Sequence, residues 1–248
     1  MPKTVAYCAL HYGSAYLAYA IQAIYPVVDE ILIAYTPAPS YGHGTNLVCL
    51  DSESDLRAIV QANDPTKKIR WVTHQWTQEG EHRDGAIAMM GPYSSDDVVV
   101  VFDSDEVWNT EILRTAVERV RGINKRNFLV PFIHFFKSFG WACTDGQRPV
   151  RLIKPACQGD SSFDMDKPVY HFGYAMSFAA IQYKWSCHGH KTELRSGWLD
   201  RYNNWKPGEV DMHPVMINNF WHPEKFDRTT LPVLLHAHPY FALDVIPS

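Results

Sequence analysis

The run Val98-Val99-Val100-Val101-Phe102 is apolar at every position. A strand with no polar face must be covered on both sides, and parallel sheets with helices on each face do that. The sequence before it alternates in the way such a sheet requires. Thr4–Leu10, Glu30–Tyr35 and Ile69–Thr73 read as strands. Helices are expected over Ala15–Ile24 (capped by Ser14 and stopped by Pro26), near Asp55–Asn63, and over Glu79–Met90, which ends at Gly91-Pro92. After the apolar run, Thr110 is the expected cap of a helix Glu111–Arg121, closed by Gly122. Repeated strand–helix units predict an α/β fold, with right-handed crossovers and a Rossmann-like, mostly parallel sheet flanked by helices.

The second half is less regular. Phe128–Phe136, Val150–Lys154, Val169–Phe172 and Leu231–His236 read as strands, and Phe178–Trp185 as a helix, with Trp- and Pro-rich loops between them. No internal repeat or linker appears, so residues 1–248 read as one domain, with a regular half 1–125 and an irregular half 126–248.

Composition narrows the class. With 248 residues, 46% hydrophobic and 20% charged, the chain can bury a full core. Its net charge is −4 and it has no run of five Lys or Arg, which argues against a sequence-independent grip on nucleic acid. Five cysteines without a C-x-x-C pair argue against a zinc ribbon or a disulfide framework, and predict free thiols in a reducing cytoplasm. No signal-peptide pattern and no apolar run near about 18 residues is present, so no membrane span is expected. The chain reads as a cytoplasmic protein of a bacterial or virus-infected cell.

Parallel sheets bind ligands at the carboxyl ends of their strands. There the apolar run delivers Asp103-Ser104-Asp105-Glu106. Carboxylates at i and i+2 on a turn suit a hard divalent cation, Mn²⁺ or Mg²⁺, that keeps positions open for a diphosphate. The same residues could be a capping turn. They also fit, loosely, a haloacid-dehalogenase-like phosphohydrolase with Asp103 as nucleophile. That chemistry needs a second acidic pair at another strand end, and Asp164-Met165-Asp166 follows a Gly/Ser loop instead.

Neighbouring patches add a resemblance. Glu81-His82-Arg83-Asp84 opens a helix about twenty residues ahead of the acidic turn, and Asp96-Asp97 precedes the strand. Downstream lie a basic strand, Arg148–Lys154, then His171-Phe172-Gly173-Tyr174, Ile181, Lys184, His188-Gly189-His190 and Glu193. Over roughly residues 70–195 this pattern resembles glycosyltransferase family 17, the β-1,4-mannosyl-glycoprotein N-acetylglucosaminyltransferase type, with its bacterial and phage relatives. His190 and Glu193 are spaced one residue wider than the family pattern, and residues 196–248 match nothing in it.

The resemblance implies a GT-A fold and a UDP- or GDP-sugar donor. Residues 1–125 would bind that donor, and 126–248 would face an acceptor hydroxyl on a glycan, a polysaccharide or a modified DNA base. It implies a metal held by Asp103 and Asp105 with His190 completing the shell, while His188, His236 and His238 stay open as alternatives. Arg83, Asp84, Asp103, Ser104 and Glu106 would meet the donor, and Glu106 would also support the turn. Glu193 and Asp200 are the candidate bases, the latter in Gly197-Trp198-Leu199-Asp200, which resembles a Trp-then-acid element of GT-A enzymes. The loops 37–44 and 136–141 have the composition to cover a ligand. A phosphohydrolase, or a non-catalytic nucleotide- or sugar-binding module, remains the alternative.

Overall fold

The computed structural model describes residues 1–144, 146–216 and 221–247. The first half alternates as β1 (Thr4–Leu10), α1 (Ser14–Ile24), β2 (Glu30–Tyr35), α2 (Glu53–Ala62), β3 (Ile69–Thr73), α3 (Glu79–Met90), β4 (Val98–Val101), β5 (Glu106–Val107) and α4 (Thr110–Arg121). The second half holds β6 (Asn127–Leu129), β7 (Phe132–Phe136), β8 (Trp141–Cys143), β9 (Val150–Ile153), β10 (Ser162–Asp164), β11 (Val169–Tyr174), α5 (Phe178–Cys187), α6 (Trp198–Asn204) and β12 (Glu224–Lys225).

Among the described residues, seven strands form one sheet in the order β10-β6-β9-β4-β1-β2-β3. Its pairs are parallel except those that β9 makes with β4 and β6. A second sheet has the order β12-β8-β7-β11-β5, with only β7 and β11 parallel. The expected α/β arrangement, a mostly parallel sheet flanked by helices, is the one found.

The apolar run behaves as a two-faced strand. Val98 and Val100 join the cluster that packs Leu17 and Ile21 of α1 and Leu113 and Val117 of α4. Val99 and Val101 join the opposite cluster, with Ala86 and Met90 of α3. Alternate side chains thus serve two helical layers, as a pleat of period two demands.

Several expectations need correction. Residues 128–136 form two strands, in different sheets, because Pro131 breaks the ladder between Leu129 and Phe132. Leu231–His236 is not a strand: after Pro232 the chain makes a 3-10 turn over Val233–Ala237. Ser14 is the first residue of α1 rather than its cap. The carboxylate of Asp51 accepts the Gly13 and Ser14 amides at 2.6 and 3.0 Å, and the Ser14 hydroxyl as well. That acid satisfies the helix start, so this end of α1 has no vacant anion cradle. Asn109, not Thr110, caps α4 through the Glu111 and Ile112 amides. No helix among the described residues is long and apolar enough to cross a membrane.

Candidate active site

The acidic turn sits where the chain leaves one sheet and enters the other. β4 ends at Val101 in the first sheet, and β5 begins at Glu106 in the second. The turn is fixed from behind by backbone: the Phe172 amide donates to the Asp105 carbonyl at 2.7 Å, and the Glu106 amide to the Asp103 carbonyl at 3.1 Å. Ser104 is fixed from the side, its hydroxyl donating to the Tyr12 carbonyl at 3.1 Å. The approach is so close that a Cβ on Gly13, whose φ is +126°, would lie 1.9 Å from Ser104 Oγ. Gly13 is therefore required by two independent constraints, backbone sign and space.

Three carboxylates and three basic side chains meet here. Arg151, on β9, donates to both Glu106 oxygens at 2.7 and 2.5 Å and to Asp103 Oδ2 at 2.9 Å. Arg83, on α3, reaches Asp103 Oδ1 at 3.3 Å and Glu79 at 2.9 Å. Lys184, on α5, has its Nζ 3.5 Å from Asp105 Oδ2 and 3.3 Å from the Gly173 carbonyl. Burial alone would raise the Asp103 carboxyl, but Arg83 and Arg151 outweigh it and hold the group well below the usual carboxylate range. Burial pushes Glu106 up to about 7 against the pull of Arg151, and Asp103 adds to the rise. Glu106 is fully buried, so its carboxylate supports the turn from inside.

The second sheet brings His171, whose Nε2 lies 3.8 Å from Asp105 Oδ2. Its Nδ1 is 2.7 Å from Nδ1 of His134 on β7, so one ring donates to the other. Burial, then His134, Lys184 and Arg151, hold His171 well below the ordinary histidine range.

These groups line a cleft of about 820 Å³. Arg83, Asp84, Asp103, Ser104, Asp105, Glu106 and His190 all border it, but among the described residues His190 forms no three-ligand group with Asp103 and Asp105 and pairs with Glu193 instead. Tyr41 borders it too, from the loop 37–44, with its ring 5.9 Å from that of His188. Residues 136–141 do not: Phe136 and Phe139 are core. Nor do Glu193 and Asp200. Glu193 is exposed and pairs with His190 at 2.9 Å, and Asp200 lies on the open side of α6, whose Trp198 and Tyr202 face the core. His236 and His238 are also outside the cleft, and His238 is buried against Tyr16 and Phe139 with Nε2 on the Ala15 carbonyl. Arg151, His171 and Lys184, which belong to the patches that carry the resemblance, border the cleft without an expected role, and His134 and Trp221 border it with no sequence signal of their own. Arg151 is the one charged residue of β9 and Lys184 the one charged residue of α5, which is the sequence signal that singles them out.

The donor set suits a cation only in part. Among the described residues no group of three His, Cys, Asp or Glu is arranged to hold a metal by itself. Asp103 and Asp105 nevertheless offer hard oxygens to the cleft, and the 3.3 and 3.5 Å contacts from Arg83 and Lys184 leave lone pairs uncommitted. Two carboxylates with the rest of the shell drawn from substrate phosphates is a common arrangement for Mg²⁺.

No protein-family model matches the chain, and no curated protein matches it. Solved structures are similar in part. One is a glucosyl-3-phosphoglycerate synthase from Mycobacterium tuberculosis in complex with Mg²⁺ and uridine diphosphate, 19% identical over 54% of this chain, with a TM-score of 0.37. This chain spans less than half of that synthase, 43%. S. aureus TarS 1-349 is 13% identical over 70% of this chain and 61% of its own, with a TM-score of 0.41. A 4-diphosphocytidyl-2C-methyl-D-erythritol synthase is 12% identical over 69% of this chain and 74% of its own, with a TM-score of 0.39.

Proposed function

We propose that this protein is a metal-dependent glycosyltransferase that moves a sugar from a UDP- or GDP-sugar to an acceptor hydroxyl. The observation that carries the reading is the acidic turn Asp103–Asp105 at the carboxyl end of β4, opening with Arg83, Arg151 and Lys184 on one polar cleft. That is a place where α/β sheets bind nucleotides, and the cleft volume suits a ligand of that size. The resemblance to glycosyltransferase family 17 supports the finer class, a hexosyl- or N-acetylhexosaminyl-transferase. Its acceptor would be a glycan, a polysaccharide or a modified nucleobase.

In this reaction the donor's anomeric C–O bond breaks and its electron pair leaves with the diphosphate, while the acceptor oxygen attacks the anomeric carbon and releases its proton. Asp103 and Asp105 would hold Mn²⁺ or Mg²⁺, which supplies charge neutralisation at the leaving group. Arg83 and Lys184 are placed to add to it, since fixed charges in a partly buried cleft need no reorganisation. Glu106 and Arg151 keep the turn rigid. Glu193 and Asp200, outside the cleft, receive no part in proton removal here.

The phosphohydrolase alternative needs a second acidic pair beside Asp103, and neither Asp164 nor Asp166 borders the cleft. Asp164 and Asp166, its candidate second acidic pair, form exposed ion pairs with Arg148 and Arg119. A thermal-shift screen separates the readings. UDP or GDP should raise the melting temperature with Mn²⁺ present and not with EDTA. Phosphate release from a simple monoester, without a nucleotide-dependent shift, would contradict the proposal.

A further inference from the structure

Lys184 is the cation in this cluster with the least to do. It is buried, yet its two polar contacts, to Asp105 and to the Gly173 carbonyl, are both at the long end of hydrogen bonding. An ammonium has three donors, and burying one under-used is unfavourable. Gly173 lets the His171 ring and Lys184 both come close: a Cβ there would lie 2.5 Å from the ring and 2.6 Å from Nζ. Tyr174 lies beneath it, the ring centroid 5.0 Å away.

The charges around it sort into two layers. Arg151 and Glu106 cancel behind the turn. In front, Asp103 and Asp105 face Arg83 and Lys184. Glu79 shares Arg83, while Asp84 and Asp160 sit exposed at the rim. With Glu79 counted, the front layer holds three acids against two cations and is net negative when empty. A diphosphate alone meets that negative charge, and it is accommodated when a divalent cation on the acids and a Lys184 released from Asp105 both face it.

We infer that Lys184 interlocks the two ligands: it holds Asp105 in the empty cleft and turns to the diphosphate when a cation takes Asp105. Lys184 is then a positioning residue that couples donor binding to metal binding. The inference rests on the metal-and-nucleotide reading above and deepens it.

Isothermal titration of the full chain with Mn²⁺ and with UDP, each alone and each in the presence of the other, tests this. In the wild type each ligand should raise the affinity of the other by the same factor, about ten-fold or more. In Lys184→Met, Mn²⁺ alone should bind roughly ten-fold tighter, because Asp105 loses its competitor, and UDP in saturating Mn²⁺ roughly ten-fold weaker. Lys184→Arg should recover UDP affinity. A variant that merely damaged the fold would weaken both ligands, so opposite signs are diagnostic. Parallel loss of both, or no change in either, overturns the interlock while leaving the metal-dependent reading intact. Failure of the wild type to bind Mn²⁺ even with UDP overturns both.

Discussion

Glu106 has no exposed surface, and both its oxygens are taken by Arg151, itself only 7% exposed. A buried carboxylate of this kind depends on its partner more than the protein depends on the pair. Arg151→Met should therefore destabilise the fold by about 3–5 kcal/mol in urea denaturation, because it leaves Glu106 uncompensated. Arg151→Met/Glu106→Leu should regain most of that loss, and a double variant as unstable as the single one would contradict the account. The partnership also shows where the sequence stops being informative. Asp103, Asp105 and Glu106 are legible as a cluster because an apolar strand delivers them to a sheet end. The identity of their counter-ions is not, because Arg151 and Lys184 lie 45 to 79 residues away from the acids they meet. Glu106 borders the cleft yet has no exposed surface, and the fold rather than local spacing sets its partnership with Arg151.

Elements set by their own pattern were readable, and elements set by their neighbours were not. β1, β2 and β3 fall where apolar composition puts them, and α3 begins and ends on its expected residues. Three of the strands of two or three residues, β5, β8 and β12, exist because a partner strand offers them a ladder. α6 is held by Trp198 and Tyr202, one helical turn apart and both buried, in a stretch whose Trp and Pro content read as loop. The caps slipped by one residue for a similar reason. Thr110 has the right chemistry, but its hydroxyl is drawn off to the Ala23 carbonyl at 2.9 Å, so Asn109 takes the cap. Asn109→Ala should lower stability by about 1 kcal/mol. Hydrogen exchange at the Glu111 and Ile112 amides should accelerate with it, and Asn109→Asp should preserve both. Unchanged exchange in the alanine variant would return the cap to Thr110.

At the scale of the molecule, two sheets meet at one acidic turn. The parallel sheet brings Arg83 and Asp103 to its carboxyl edge, and the second sheet with α5 brings His171 and Lys184 to face them. Neither sheet holds the whole cluster, which explains why the regular half of the chain revealed a binding edge but not the chemistry opposite it. Glu193 and Asp200 illustrate the limit, since nothing in their spacing told that α6 and the preceding turn keep them outside the cleft. Metal-dependent sugar transfer through Asp103 and Asp105 is measured as nucleoside diphosphate release from a panel of UDP- and GDP-sugars. The panel is run with Mn²⁺ or with EDTA, on the wild type and on a folded Asp103→Asn/Asp105→Asn variant. The wild type with Mn²⁺ should release nucleoside diphosphate, and that release should fall roughly 100-fold or more with EDTA and in the variant; equal release in all of these rules out metal-dependent transfer through the two aspartates.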